Sequence, residues 1–341
     1  MTPVWDDVIA RSHGLSTHLL DLSQLEGLAR QPDLAGLTAA LRSRGMAIGV
    51  TSEMPAPEAV ELGVRRWAAA AMRTLARWTG SRRDALPLVF DEEDRRSLRA
   101  ILRGAMQHAP AARRLGGLIP TPSLPELALE ELAAAATIPA AVSLLVAWCH
   151  PFATELADAT ASVQPDALAI DLALSRALAR RAVEAAARSH DRGVRRFVRE
   201  TIDIENGVTA VVTSAAKRDI AARELHLAGG AKVTLDIFEA AVNEATPAMA
   251  GVRIAAALAE TPYAAPFRDA AGDPATMEDE LFRRRLQHLV DRVRRAPLTA
   301  LTPILFVYRL RAQVFDLQRI IWTVALNGPR RWLVDSWLTA A

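Results

Sequence analysis

The chain has 341 residues, 51% of them hydrophobic and 23% charged, with 41 Lys and Arg against 39 Asp and Glu for a formal net charge of +2. That much apolar material excludes a disordered chain, and the near balance of charge excludes the one-signed field of a protein that binds nucleic acid through its surface charge. A single cysteine, Cys149, excludes an internal disulfide framework and suits a reducing compartment.

Ala, Leu, Arg and Glu dominate and glycine is only 17 of 341, so an almost wholly helical protein is expected. The opening "MTPVWDDVIARSHG" has neither a basic nor an apolar leader region, and no secretory signal is expected. From Leu22, "LSQLEGLARQPDLAGLTAALRSRGMAIGV" predicts two short helices. Apolar residues at Val60, Val64, Trp67, Ala71, Leu75 and Trp78 then predict a long one. "FDEEDRRS" at Phe90 to Ser97 opens the next, with Asp91 and Asp94 expected as exposed carboxylates favouring the positive end of its first turn.

A second short pair is expected in "LPELALEELAAAATIPAAVSLLVAWCHPF" from Leu124. Its stretch Leu132 to Cys149 barely reaches the length of a membrane span, is mostly alanine and contains Pro139, so it reads as buried helices. "RETIDIENGVTAVVTSAAK" at 199–217 would read as strand in its Val-Thr part if taken alone, but its register with the other segments makes it helix. Asp203 and Asn206 there are expected as a buried polar pair fixing where two long helices cross, with direct contact to a partner as the alternative. In "HLAGGAKVTLDIF", Gly229 and Gly230 read as a helix C-cap, and His226 as a partner of the helix dipole rather than a ligand. A third short pair follows in "LDIFEAAVNEATPAMAGVRIAAALAETPY" from Leu235, and Leu310, Val314, Leu317, Ile321 and Val324 mark the last long helix.

These segments repeat. The stretches from Leu22, Leu124 and Leu235 align over 29 residues without a gap. The alignment places Leu25, Leu127 and Phe238 at matched core positions, with Ser23, Ser123 and Thr234 beside the openings. Downstream, Asp91-x-x-Asp94, Asp203-x-x-Asn206 and Gln313-x-x-Asp316 recur as polar boxes that begin or interrupt a long helix. Three helical units of roughly 110 residues are expected, over 1–115, 116–227 and 228–341, each with two short helices followed by two long ones.

Enzyme chemistry finds little support. A class I terpene synthase would use an aspartate-rich helix end such as Asp91 to Asp94 to hold magnesium, but its second ligand set is absent: four and eight residues beyond Asn206 stand Ala210 and Ser214. No His-Glu-x-x-His pair and no Gly-x-x-x-x-Gly-Lys phosphate loop occurs, and Cys149 and His150 are adjacent rather than facing. Catalytic, cofactor-binding and metal-binding residues are therefore all expected to be none.

"ARSHGLSTHLL" at Ala10 to Leu20, "HLAGGAKVTLDIF" with Pro262-Tyr263 downstream, the "IDIEN" box and "ILFVYRLRAQVFDLQRIIWTVALNG" together resemble the C-type subunit of the archaeal and bacterial V/A-type ATPases, which is similar to the d-type subunit of the eukaryotic V-ATPase. The resemblance implies an all-α funnel of three pseudo-symmetric helical bundles around a pseudo-threefold axis. It implies a rotor adaptor that catalyses nothing and needs no cofactor. Its partners would be the D- and F-type central-stalk subunits and the membrane proteolipid ring, with no nucleic acid, at the cytoplasmic face of the membrane. Basic side chains such as Arg82, Arg83, Arg195 and Arg196 would lie towards the ring and its headgroups. A helical-repeat interaction scaffold of other purpose is the alternative.

Overall fold

The computed structural model describes residues 5–49, 56–79, 86–161, 166–216 and 221–328, and among them are α-helices and no strand. In chain order these are α1 (Asp6–Ser16), α2 (Leu22–Ala29), α3 (Leu34–Arg42), α4 (Pro57–Thr79), α5 (Pro87–Met106), α6 (Ala111–Arg114), α7 (Glu126–Ala134), α8 (Ile138–Ala147) and α9 (Ala153–Thr160). They continue as α10 (Ala167–Arg188), α11 (Arg192–Ala216), α12 (Ala222–Leu225), α13 (Leu235–Val242), α14 (Pro247–Ala257), α15 (Ala264–Ala270), α16 (Pro274–Arg295) and α17 (Leu301–Ala325). The fold is all-α. Arg82 and Arg83 lie outside the described residues.

A short-helix pair recurs with fixed spacing: α3, α8 and α14 each begin 12 positions after α2, α7 and α13 begin. The second helix of each pair opens on a side-chain cap, with Asp33, Thr137 and Thr246 accepting from the backbone N–H of Gly36, Ala140 and Met249. This spacing corrects the alignment made from sequence. Leu127 is 73% exposed, whereas Leu129 is buried, so the position matching Leu25 and Phe238 is Leu129, two residues later. Pro125 is the reason: it stands at the N-cap of α7, and a residue before proline is driven out of the helical region, so Leu124 cannot open the helix. Leu124 instead matches Leu20 and Val233, all three buried two residues ahead of their helices.

Burial overrides propensity in α11. Its "VTAVVTS" run is helical because Ala210 and Val211 are fully buried in a core, as the register with the other segments predicted. Leu310, Val314, Leu317 and Ile321 are likewise buried along α17. On α4 the buried line is Val60, Val64, Ala68, Met72 and Leu75, so the expected Trp67, Ala71 and Trp78 lie at its edge.

The six long helices come in three successive pairs, α4 and α5, α10 and α11, and α16 and α17, of which α10 packs on α11 and α16 on α17. All three pairs share one core, in which Leu75 and Leu86 join Ala182 and Val194 and also Val293 and Leu301. Each short-helix pair packs on the second long helix of one such long pair: α7 and α8 on α5, α13 and α14 on α11, and α2 and α3 on α17. The flanking helices α9 and α15 pack on α10 and α16, the long helices that follow them. Two further cores result, one around Leu98, Leu102, Leu129 and Leu174, the other around Val211, Phe238, Ile254 and Phe267. Full burial of one such side chain contributes about 1.5 to 3 kcal/mol.

The polar boxes fasten this hand-over. Asp94 accepts from Thr121 Oγ1 and Ser123 Oγ, and Thr121 Oγ1 in turn accepts from Leu124 N at 2.9 Å. Asp203 accepts from the N–H groups of Ala231, Lys232 and Val233, while Asn206 bonds both the N–H and the carbonyl of Leu227 at 2.8 and 2.9 Å. Gln313 Oε1 accepts from Leu20 N at 2.8 Å. In all three cases a mid-helix side chain fastens the lead-in to a short pair, directly on its backbone from α11 and α17 and through the Thr121 hydroxyl from α5. Asp203 and Asn206 are therefore a buried pair, but they fix a lead-in loop and not a helix crossing.

Gly229 and Gly230 are not a helix C-cap; α12 has already ended at His226. Gly229 takes φ +110°, and a Cβ on Gly230 would stand 2.4 Å from Asp203 Oδ1, so the two glycines let the backbone wrap the carboxylate. His226 bonds the Val233 carbonyl oxygen through Nε2 at 3.1 Å and sets its ring edge against Phe238, inside the same loop.

Candidate partner-binding pocket

Five consecutive charged residues, Asp91 to Arg95, sweep the whole circumference of α5, because successive side chains turn by about 100°. A helix enclosed by three neighbours must then bury charge, and all five are buried. Asp91 and Asp94 are thus not exposed first-turn acids: the first turn of α5 holds none. Asp91 pairs with Arg181 of α10 at 2.6 Å, and His150 Nε2 lies 3.6 Å from the fastened Asp94. Burial first of all, and the nearby Asp94 as well, push the Asp91 carboxyl up to about 6 in spite of Arg181.

Glu92 turns towards α16 and α17. It accepts from Tyr308 Oη at 2.7 Å and from Arg285 Nη1 at 3.3 Å, and Arg285 also donates to Tyr308 Oη at 3.0 Å. Burial opposes ionisation of Glu92, but Arg285, Arg96 and Arg95 outweigh it and hold the carboxyl below its ordinary value. Burial likewise opposes the charge on Arg285, yet Tyr308 and Glu92 hold its guanidinium well above the ordinary range. Glu93 is less well served. Its ion-pair partner Arg311 stands 3.7 Å away, and burial together with Glu92 and Asp94 raises it to about 7 against the pull of Arg96. Arg311 leans instead on two aromatic faces, Phe282 at 4.9 Å and Phe315 at 5.5 Å.

Arg95 completes the set with a two-pronged pair to Glu205 of α11, both bonds 2.8 Å. Beside this layer a pocket opens between α5, α11 and α16, walled by Glu92, Arg95, Arg96, Arg99, Glu205 and Arg285 among others. Glu92, Arg95, Glu205 and Arg285 of its wall are paired within the fold and so held in position, and a wall of charged donors and acceptors suits recognition of a polar or charged group. Among the described residues no group of three His, Cys, Asp or Glu side chains could hold a metal ion.

The sequence model of the ATP synthase (C/AC39) subunit family matches residues 8–331, nearly the whole chain. The chain belongs to that family. The ATP synthase (C/AC39) subunit family is one of structural, V/A-type ATPase subunits, which makes this chain a component of such a complex. Among the described residues no helix of this C/AC39 subunit is long and apolar enough to cross a membrane. Among individually curated proteins none matches.

Of the residues singled out in the sequence, the structure brings Asp91 and Asp94 to the same charged layer and puts Asp203 and Asn206 within a turn of Glu205 on α11. Arg195 donates to the Ser189 carbonyl oxygen at 3.0 Å and Arg196 pairs with Glu200 at 2.7 Å, both near the α10–α11 turn. Sequence reasoning missed Arg95, Arg285, Tyr308 and Arg311. The five-residue charged run was the available signal for the first; Arg285 closes the run Arg283-Arg284-Arg285, whose pattern does not say which of the three is buried, and Tyr308 and Arg311 stand among the apolar residues of α17.

Proposed function

We propose that this C/AC39 subunit is the non-catalytic rotor adaptor of a V/A-type ATPase. It would join the D- and F-type central-stalk subunits of the soluble head to the membrane proteolipid ring and transmit torque for ATP-coupled proton or sodium transport. The observation that carries this reading is the charge-lined pocket between α5, α11 and α16, one long helix from each pair, whose wall residue Phe282 also belongs to the core that all three pairs share. A partner side chain held there would bear on all three pairs at once. On this reading the repeats 1–115, 116–227 and 228–341 stand around a pseudo-threefold axis as a funnel, peripheral to the membrane at its cytoplasmic face. Asp91 and Asp94, the residues a terpene-synthase-like reading would need for magnesium, are already held by Arg181, Thr121 and Ser123.

The test is a paired assay on one preparation: ATP hydrolysis by the detached head, and ATP-driven ion uptake by the reconstituted complex, each with and without this protein. The expected result is hydrolysis largely unchanged and uptake lost in its absence. Full uptake without the protein, or a collapse of head hydrolysis, would refute torque coupling as its role.

A further inference from the structure

Among the arginines walling the pocket, Arg96 is the most exposed and stands furthest from a carboxylate. Arg95 spends both terminal nitrogens on Glu205, Arg285 is held by Glu92 and Tyr308, and Arg99 stands 3.2 Å from Asp171. Arg96 makes no hydrogen bond among the described residues. Its ion-pair partner, Glu92, is 3.9 Å away and already engaged. The Phe282 ring lies 5.9 Å beneath its guanidinium and limits where the group can swing. The Arg96 side chain is 33% exposed, so a ligand can reach it.

Arg96 also walls a second hollow, shared with Phe315, Gln318, Trp322 and the Asp279–Arg319 pair. That side offers an apolar wall in a fixed position, because Trp322 Nε1 donates to the buried carboxylate of Glu61 at 3.0 Å. A planar guanidinium with unused donors is complementary to a carboxylate, and an aromatic wall beside it is complementary to an aliphatic side chain.

We propose that Arg96 is the anchor of the partner interface: it receives a carboxylate from the end of a central-stalk helix, while an apolar residue three or four positions along that helix enters the hollow at Phe315 and Trp322. This rests on the rotor-adaptor reading and adds to it the chemistry of the partner, an acidic and apolar helix end.

The test is calorimetric titration of the full-length chain with the cognate central-stalk heterodimer, for the wild type and for Arg96→Lys, Arg96→Gln and Arg96→Glu, with circular dichroism melts confirming that each variant folds. Arg96→Gln is expected to weaken binding about tenfold, the equivalent of about 1.4 kcal/mol, and to flatten the salt dependence. Arg96→Glu should be weaker still. Arg96→Lys keeps the charge but loses the planar fork and should fall between wild type and Arg96→Gln. Wild-type binding that Arg96→Gln and Arg96→Glu leave unchanged would overturn the anchor while sparing the rotor-adaptor reading; a wild type that does not bind the stalk would overturn both.

Discussion

Glu93 shows what burial does to a single carboxyl in this protein. Its ordinary pKa is 4.5 and in the fold it is about 7, with burial the main cause and Glu92 and Asp94 adding to it. Between those values the folded chain holds a proton that the unfolded chain releases, so the contribution is fully present below 4.5 and is lost as pH rises through 7. Glu92 runs the other way: its pKa is lowered, so its contribution is present above 4.5 and is lost as pH falls. Glu93→Gln stays neutral throughout. Its melting temperature relative to wild type should therefore rise between about pH 5 and pH 8, by on the order of 1 kcal/mol or about 2 °C in scanning calorimetry. A difference that does not move with pH would show that Glu93 does not titrate in that range. Asp91 carries a second expectation. Because it is buried against Arg181 and not at an exposed helix start, Asp91→Ala should cost about 2 to 4 kcal/mol in denaturant melts, and Asp91→Ala with Arg181→Leu should recover most of it. A single-variant loss below about 0.5 kcal/mol would return Asp91 to the minor role its sequence context suggested.

Helix α7 separates what sequence pattern can tell from what it cannot. Leu129→Ala should cost about 2 to 5 kcal/mol by leaving a cavity among α5, α7 and α10, whereas Leu127→Ala should stay within about 0.5 kcal/mol. The reverse order in urea melts would restore Leu127 as the core position. The long helices were legible, since stripes such as Leu310 to Ile321 on α17 carry a clear helical period, but the short α9 and α15, which stand between a short pair and the long helices, were not expected. Register in α7 was not, because Leu124, Leu127, Leu129 and Leu132 offer two overlapping ladders in an alanine-rich stretch. Only Pro125, read as a barrier to helix at Leu124, chooses between them. The charged layer was hidden for a different reason. Pattern reading assigns charge to solvent, and nothing local tells that Arg285 and Glu92, 193 positions apart, neutralise each other in the interior. The polar boxes fell between these cases: their recurrence was visible at Asp203-x-x-Asn206, but their partners lie in loops whose path no periodicity encodes.

At the scale of the whole molecule, sequence repeats and packing units are out of step by one long helix. Leu98, Ile101 and Leu102 of α5 complete the core of α7, α8 and α9, and Ile204 and Val211 of α11 complete that of α13 to α15. A fragment spanning 116–227 should therefore show helical circular dichroism without a cooperative melt, and one spanning 86–227, which regains α5, should melt cooperatively. Equal cooperativity in both would mean that the core does not depend on the preceding helix. The same offset bears on ancestry. One repeat alone would carry an uncovered long helix at one end and an unsupported lead-in loop at the other, two unlike surfaces each complementary to the opposite end of another copy. Unlike surfaces that fit head to tail build rings or filaments, and the bond from Gln313 back to Leu20 joins the last long helix to the first short pair. On the three-unit reading proposed above, the chain takes the form of a cyclic homotrimer joined into one polypeptide, and a single repeat redesigned to stand alone then has an obvious partner: two more of itself.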